Sequence, residues 1–184
     1  MDKVRFGVIG YGNMGSQHIR YLANGEIPGA VLGAVCDNNP AKLDAAKEFL
    51  TKEHPDLSVA YFADYKELLD SGKIDAVLIA TPHYLHPVIA IDAFAKKLNV
   101  LSEKPIGVYT KKVLEMYDAA KKAGTVFGIM YNQRTNPMYQ KVREMIQSGE
   151  LGELKRCVWI ITNWYRTQAY YNSGGWRATW KGEG

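Results

Sequence analysis

The chain has 184 residues, 47% of them hydrophobic and 23% charged, and a formal net charge of +4. This composition suits one globular domain plus a remainder and excludes disorder. Its apolar runs, such as Ala76–Ala80, fall far short of the roughly 18 residues that cross a bilayer.

No secretion leader is recognisable at the start. Cys36 and Cys157 make neither a disulfide framework nor a metal-ligand spacing, so a reduced cytoplasmic setting and no metal are expected. The composition is uneven. All four tryptophans fall in residues 151–184, which hold 7 aromatics against 14 in residues 1–150. The same segment carries 5 Lys/Arg against 2 Asp/Glu, and so supplies +3 of the net +4. Residues 1–150 are read as one domain and 151–184 as the beginning of another.

In chain order, residues 3–9 read as a buried strand ending at Gly10, and Asn13–Gly25 as a helix by apolar spacing. A strand over Ala30–Cys36 and a helix over Ala41–His54 follow, the helix bounded by Pro40 and Pro55. Val59–Phe62 is a short strand, and Asp64–Ser71 a short helix with Asp64 as its N-cap. Ile74–Ala80 is a strongly apolar strand, followed by Thr81-Pro82 and a helix from about His86 to Leu98. Asn99–Ser102 is a strand, Thr110–Ala123 a helix, Val126–Tyr131 a strand and Asn136–Ser148 a helix. Alternation of this kind predicts an α/β fold, a doubly wound parallel sheet with both faces covered. Beyond it, Leu154–Arg166 is rich in β-branched and aromatic residues and reads as a strand. Thr167–Gly184 reads as a loop.

Gly10-Tyr11-Gly12-Asn13-Met14-Gly15 is a G-x-G-x-x-G with a strand before it and a helix starting inside it. In that context Gly10 makes the tight turn, Gly12 admits a pyrophosphate to the backbone, and Gly15 lets helix and strand pack. Free N–H groups at the helix start, at Asn13 and Met14, favour phosphate. Asp37 ends the second strand, 22 residues after Gly15, near the ~20 expected of a carboxylate bonding a ribose 2′-OH. The same residue also suits a turn or N-cap ahead of Pro40. No Lys or Arg stands between it and Lys42 to neutralise a 2′-phosphate, which favours NAD over NADP.

Three more clusters follow predicted strands, on the edge where parallel sheets bind ligands. They are Ala80-Thr-Pro-His-Tyr-Leu-His86, Ser102-Glu-Lys-Pro105 and Tyr131-Asn-Gln-Arg134. With the glycine loop, this ordered set resembles the glucose–fructose oxidoreductase/inositol dehydrogenase (Gfo/Idh/MocA) family of NAD(P)-dependent oxidoreductases. The resemblance implies a Rossmann domain and hydride transfer with a secondary alcohol of a sugar or cyclic polyol. It places Lys104 beside the nicotinamide and the reacting carbon as the catalytic lysine. There its ammonium suits a hydrogen bond to a developing alkoxide, with Glu103 orienting it. Thr81, Pro82, His86 and Glu103 are implied on the cofactor side. The family usually has Asn where this chain has His83. His86 is equally read as a helix-start residue packing locally, and Arg134 as a substrate contact or a helix cap. Trp176-Arg177 resembles a pair near the family's substrate pocket, with structural packing as the alternative.

The resemblance further implies an α+β second domain, truncated here, that lines the substrate site and forms the homo-oligomer contact. The family's partner Asp and His are expected beyond Gly184. An NAD-binding module without turnover and a dinucleotide- or sugar-sensing regulator are the alternatives to a dehydrogenase. The paired lysines 96–97, 111–112 and 121–122 lie on separate predicted helices and form no nucleic-acid stripe. A long apolar strand over Leu154–Arg166 with open edges invites self-pairing. The chain should therefore self-associate, and a shorter one ending at Gly149 should stay monomeric at higher concentration in sedimentation. Equal association of the two would refute the assignment of the contact to residues 154–184.

Overall fold

In the computed structural model, residues 3–183 are described. Six parallel strands form one sheet: β1 (Val4–Ile9), β2 (Ala30–Cys36), β3 (Ala60–Phe62), β4 (Ala76–Ile79), β5 (Asn99–Ser102) and β6 (Phe127–Ile129). Their spatial order is β3-β2-β1-β4-β5-β6, so the chain winds one way from β1 and then returns to wind the other, the Rossmann arrangement. Between them run α1 (Asn13–Ala23), α2 (Pro40–Glu53), α3 (Tyr65–Asp70), α4 (His86–Ala95) and α5 (Thr110–Ala123).

The helix starts follow local chemistry. Asn39 accepts the N–H of Ala41, with Pro40 at the first helical position; Asp64 caps α3 by accepting the N–H of Lys66 at 2.8 Å. At the other end of α5, Gly124 takes the left-handed φ of +67° that a helix stop requires.

Alternation along the strands sends neighbouring side chains into two separate cores. Val8 and Leu78 join Ile19, Leu22 and Leu50 on one face. Ile9, Val77 and Ile79 join Leu68, Ile89, Phe94 and Met116 on the other. β4 is buried along its whole length because it pairs on both edges, with β1 and with β5, and is covered on both faces. This is why its sequence is a continuous apolar run rather than an alternating one.

The chain forms two compact units, one running to Met130 and resuming at Thr179, the other spanning Tyr131–Ala178. α6 (Pro137–Gln147), the helix expected over Asn136–Ser148, lies in the second unit, capped by Asn136 on the N–H of Met138. The strand expected over Leu154–Arg166 does not form. Side-chain propensity supplies no ladder by itself, and among the described residues no other segment offers this one a backbone partner. Its side chains stay out: Ile160 is 77% and Tyr165 86% exposed. The loop expected over Thr167–Gly184 instead holds α7 (Gln168–Asn172), with Thr167 accepting the N–H of Tyr170, and α8 (Trp180–Glu183). Gly184 lies outside the described residues. Both are too short for a 3.6-residue period to show in sequence.

Ile79 on β4 is fully buried, whereas Val126 is 73% exposed. Ile79→Ala should therefore cost about 2–5 kcal/mol by chemical denaturation. Val126→Ala should stay within about 0.5 kcal/mol.

Candidate functional site

Consecutive strands deliver their loops to one edge of the sheet. Gly10 donates its N–H to the carbonyl of Cys36, Ala80 to Ile9 and Glu103 to Ile79, at 2.8, 2.8 and 2.9 Å. The ends of β1, β2, β4 and β5 are thereby laced side by side, and the glycine loop, Asp37, Thr81-Pro82 and Glu103-Lys104 follow from them.

The glycines are demanded by space. Gly10 has φ +102°, and a Cβ there would stand 2.6 Å from the carbonyl oxygen of Ala80; a Cβ on Gly15 would overlap the carbonyl oxygen of Gly10. Around Gly12, by contrast, nothing lies within 4 Å of where a Cβ would be, so its backbone is open to an approaching ligand. Gly12 is the N-cap of α1 without any side-chain cap bond, which leaves N–H groups of the first turn, Asn13 and Met14 among them, without helical acceptors. Asn13 and Met14 are both exposed.

Asp37 is buried and holds the loop in place. Its Oδ2 accepts the N–H of Tyr11 at 2.7 Å, and its Oδ1 the N–H of Asn39 at 2.9 Å. Of the turn and N-cap roles, the turn is realised, because the cap of α2 is Asn39 itself. Each carboxylate oxygen keeps a further acceptor direction. Thr81 carries a buried hydroxyl with no hydrogen-bond partner. A polar atom of that kind is costly to bury unless something satisfies it. Open backbone at Gly12, an anchored carboxylate and an orphaned hydroxyl on one edge fit a dinucleotide.

His86 is fully buried at the start of α4. Its Nδ1 lies 2.7 Å from the carbonyl oxygen of Pro105 and its Nε2 2.8 Å from that of Thr81. A neutral imidazole donates from one nitrogen only, so the ring bonds one of these carbonyls while its other nitrogen faces the second, and the side chain packs between the β4 and β5 loops. Pro105 follows a cis Lys104–Pro105 bond. His83 belongs to a single 3₁₀ turn, His83–Leu85, with its ring 5.8 Å from that of His86.

Glu103 is buried and Lys104 exposed. Glu103 Oε1 lies 2.7 Å from His18 Nε2, and Oε2 accepts the backbone N–H of Lys104 at 3.2 Å. Burial acts to raise the Glu103 carboxyl, but the bond and charge of His18 and the Lys104 N–H together hold it below its ordinary value. His18 is the residue that sequence reasoning missed. The only signal for it in the sequence is a histidine where Leu or Ile would fill the helix face. No group of three or more His, Cys, Asp or Glu among the described residues could hold a metal.

Arg134, Trp176 and Arg177 lie in the second unit. Arg134 is exposed, its guanidinium 5.7 Å from the Tyr131 ring. The neighbouring helix is capped by Asn136 and not by Arg134. Arg177 donates from Nη1 to the Tyr170 hydroxyl at 2.6 Å and stacks over Tyr170 and Trp176, while its buried Nε has no partner.

Desolvation pushes the His86 imidazole below its ordinary 6.5, although the Thr81 and Pro105 carbonyls and the charge of Glu103 act upward. The unfolded chain thus takes up this proton first. The stability contributed is whole above the ordinary histidine value and drains away as pH falls below it. The wild-type unfolding midpoint should drop between about pH 7.5 and pH 5.5, and His86→Gln, though less stable at the upper value, should show a flatter slope across that window. Calorimetric scans of both proteins check this; parallel slopes would contradict it.

Comparison with known proteins agrees with this geometry. The chain is 34% identical over 154 residues to an inositol 2-dehydrogenase of Arthrobacter sp. (strain FB24), covering 83% of this chain and 44% of that protein. It is 28% identical over 186 residues to a glycosyl hydrolase family 109 protein of Shewanella sp. (strain ANA-3), covering 98% and 40%. Among solved structures, the WlbA dehydrogenase from Bordetella pertussis, in complex with NADH and UDP-GlcNAcA, superposes with a TM-score of 0.84 at 29% identity. That match covers 100% of this chain and 50% of WlbA. The chain thus spans half or less of the length of these relatives. Residues 4–131 match the Gfo/Idh/MocA family, described as an oxidoreductase family with an NAD-binding Rossmann fold, and the chain belongs to that family.

Proposed function

We propose that this chain is the dinucleotide-binding part of an NAD-dependent dehydrogenase that oxidises a secondary alcohol of a sugar or cyclic polyol. The observation that carries the reading is the anchoring of Asp37 to the N–H of Tyr11 inside the glycine loop. It sets one fixed carboxylate beside the phosphate-binding turn, with no Lys or Arg between it and Lys42. A carboxylate so placed accepts from a ribose 2′-OH and repels a 2′-phosphate.

When bound, the nicotinamide supplies the hydride acceptor. The chain's own residues then divide the remaining work. Gly12, Asn13 and Met14 present backbone N–H groups to the pyrophosphate, and Gly10 and Gly15 keep that turn close to β4. Thr81 would offer its buried, unpartnered hydroxyl to the cofactor, and Pro82 shapes the loop that carries it. Glu103 holds the turn from which Lys104 would reach the substrate hydroxyl, where its ammonium would stabilise the developing alkoxide as a separate base takes the hydroxyl proton. Arg134, Trp176 and Arg177 are assigned to the substrate side. Cys36 and Cys157 are both free, in keeping with a reduced cytoplasm, and homo-oligomerisation is assigned to the second domain.

The alternative reading is a chain that binds dinucleotide without turnover or reports dinucleotide or sugar levels.

Calorimetric titration tests the cofactor. NAD should bind more tightly than NADP, and Asp37→Ala should weaken NAD about tenfold and narrow the preference. Tighter binding of NADP by the wild type would overturn the assignment. NADH formation from myo-inositol or common aldoses, abolished by Lys104→Ala, would favour the dehydrogenase; binding without turnover would favour the module.

A further inference from the structure

α1, the helix whose first turn holds the phosphates, also reaches the Lys104 turn, through a residue not used so far. His18 lies in the second turn of α1, 85 positions from Glu103 in sequence. Both side chains are 9% exposed and meet at 2.7 Å. The neighbours of His18 on that helix face, Ile19 and Leu22, are core residues. A leucine would fill the volume, so a histidine here is explained by the carboxylate it meets. A buried carboxylate is kept only where its oxygens find donors. Oε1 has His18 and Oε2 has the Lys104 N–H.

We propose that His18 is a positioning residue for Lys104: it donates from Nε2 to Glu103 Oε1, so that Oε2 fixes the Lys104 backbone relative to the phosphate helix. An ionised carboxylate only accepts, which requires the hydrogen on Nε2. The lysine side chain then starts from a fixed point with respect to the same helix that holds the pyrophosphate, and two ends of one cofactor are referred to a single rigid element. His86 supports the next residue, through the Pro105 carbonyl. The Glu103–Pro105 turn is thus gripped from α1 and from α4. The catalytic value of this positioning rests on the dehydrogenase reading above; the positioning itself does not.

Three measurements decide it. In the dinucleotide-free wild type, nitrogen-detected NMR of the His18 ring should show the Nε2–H tautomer or the doubly protonated ring; an Nδ1–H tautomer overturns the proposal without any variant. In His18→Leu, hydrogen exchange at the Lys104 amide should quicken about tenfold or more while amides of β4 hold, and His18→Gln, which keeps a donor, should restore protection. Unchanged Lys104 exchange in folded His18→Leu overturns it. Third, His18→Leu should weaken NAD about tenfold but leave ADP-ribose, which lacks the nicotinamide, unchanged. Equal losses for both ligands, or no loss for either, mean that His18 only fills the core. Failure of the wild type to bind NAD refutes the cofactor reading instead, and the first two measurements then decide the positioning alone.

Discussion

The whole nucleotide edge depends on one close approach, between Gly15 at the start of α1, Gly10 at the end of β1 and Ala80 at the end of β4. A methyl group on Gly15 would occupy the position of the Gly10 carbonyl oxygen, and one on Gly10 would press on that of Ala80. With no side chains between them, the helix start sits on the strand ends and the helix axis aims its free N–H groups along the sheet edge. The β1–β4 pairing has the same requirement. It is the crossover of the doubly wound sheet, so the contact that makes the phosphate turn also sets where the second half of the sheet begins.

Around that approach the polar groups are arranged as ties between loops. Asp37 binds the β2 end to the glycine loop, His86 the β4 loop to the β5 loop, and Glu103 the β5 turn to α1 through His18. Each tie has at least one buried side chain, Asp37, His86 or Glu103 with His18, and each joins segments that are distant in sequence. Such bonds are worth most where water is excluded, and they leave a costly unpaired group when one partner is lost. They also leave Lys104 outside the grip, exposed on a turn whose backbone is held. The side chain proposed to meet the substrate thus extends from that held backbone.

The second unit shows a different balance. Around Tyr170 aromatic rings and guanidinium groups pack closely, Arg166 at 4.2 Å and Arg177 at 4.4 Å from its centroid. Between Leu154 and Arg166, however, Val158, Trp159, Ile160, Ile161 and Trp164 are all more than half exposed. β-Branched and aromatic residues describe a surface that fits a sheet. Without strands beside it among the described residues, the segment forms no ladder.

Much of the first unit was legible residue by residue. Ala30–Cys36, Asn99–Ser102 and Thr110–Ala123 were bounded correctly because alternation, caps and Gly124 are local signals. The glycine turn was legible because its spacing has one steric meaning between a strand and a helix. What escaped were the pairings across long separations. A histidine at position 18 reads as one more point on an apolar face until the fold brings Glu103 to it. His86 reads as a ligand-side or packing residue, and only the fold sets its ring between the Thr81 and Pro105 carbonyls. The aromatic segment 154–166 reads as a strand until its ladder is sought. The sequence by itself determined the βα alternation, the parallel sheet and the phosphate turn, all set by periodicity and steric need within a few residues. Only the tertiary structure decided which buried polar groups meet and which apolar segment goes unpaired, since partners far apart in sequence leave no periodic trace in it.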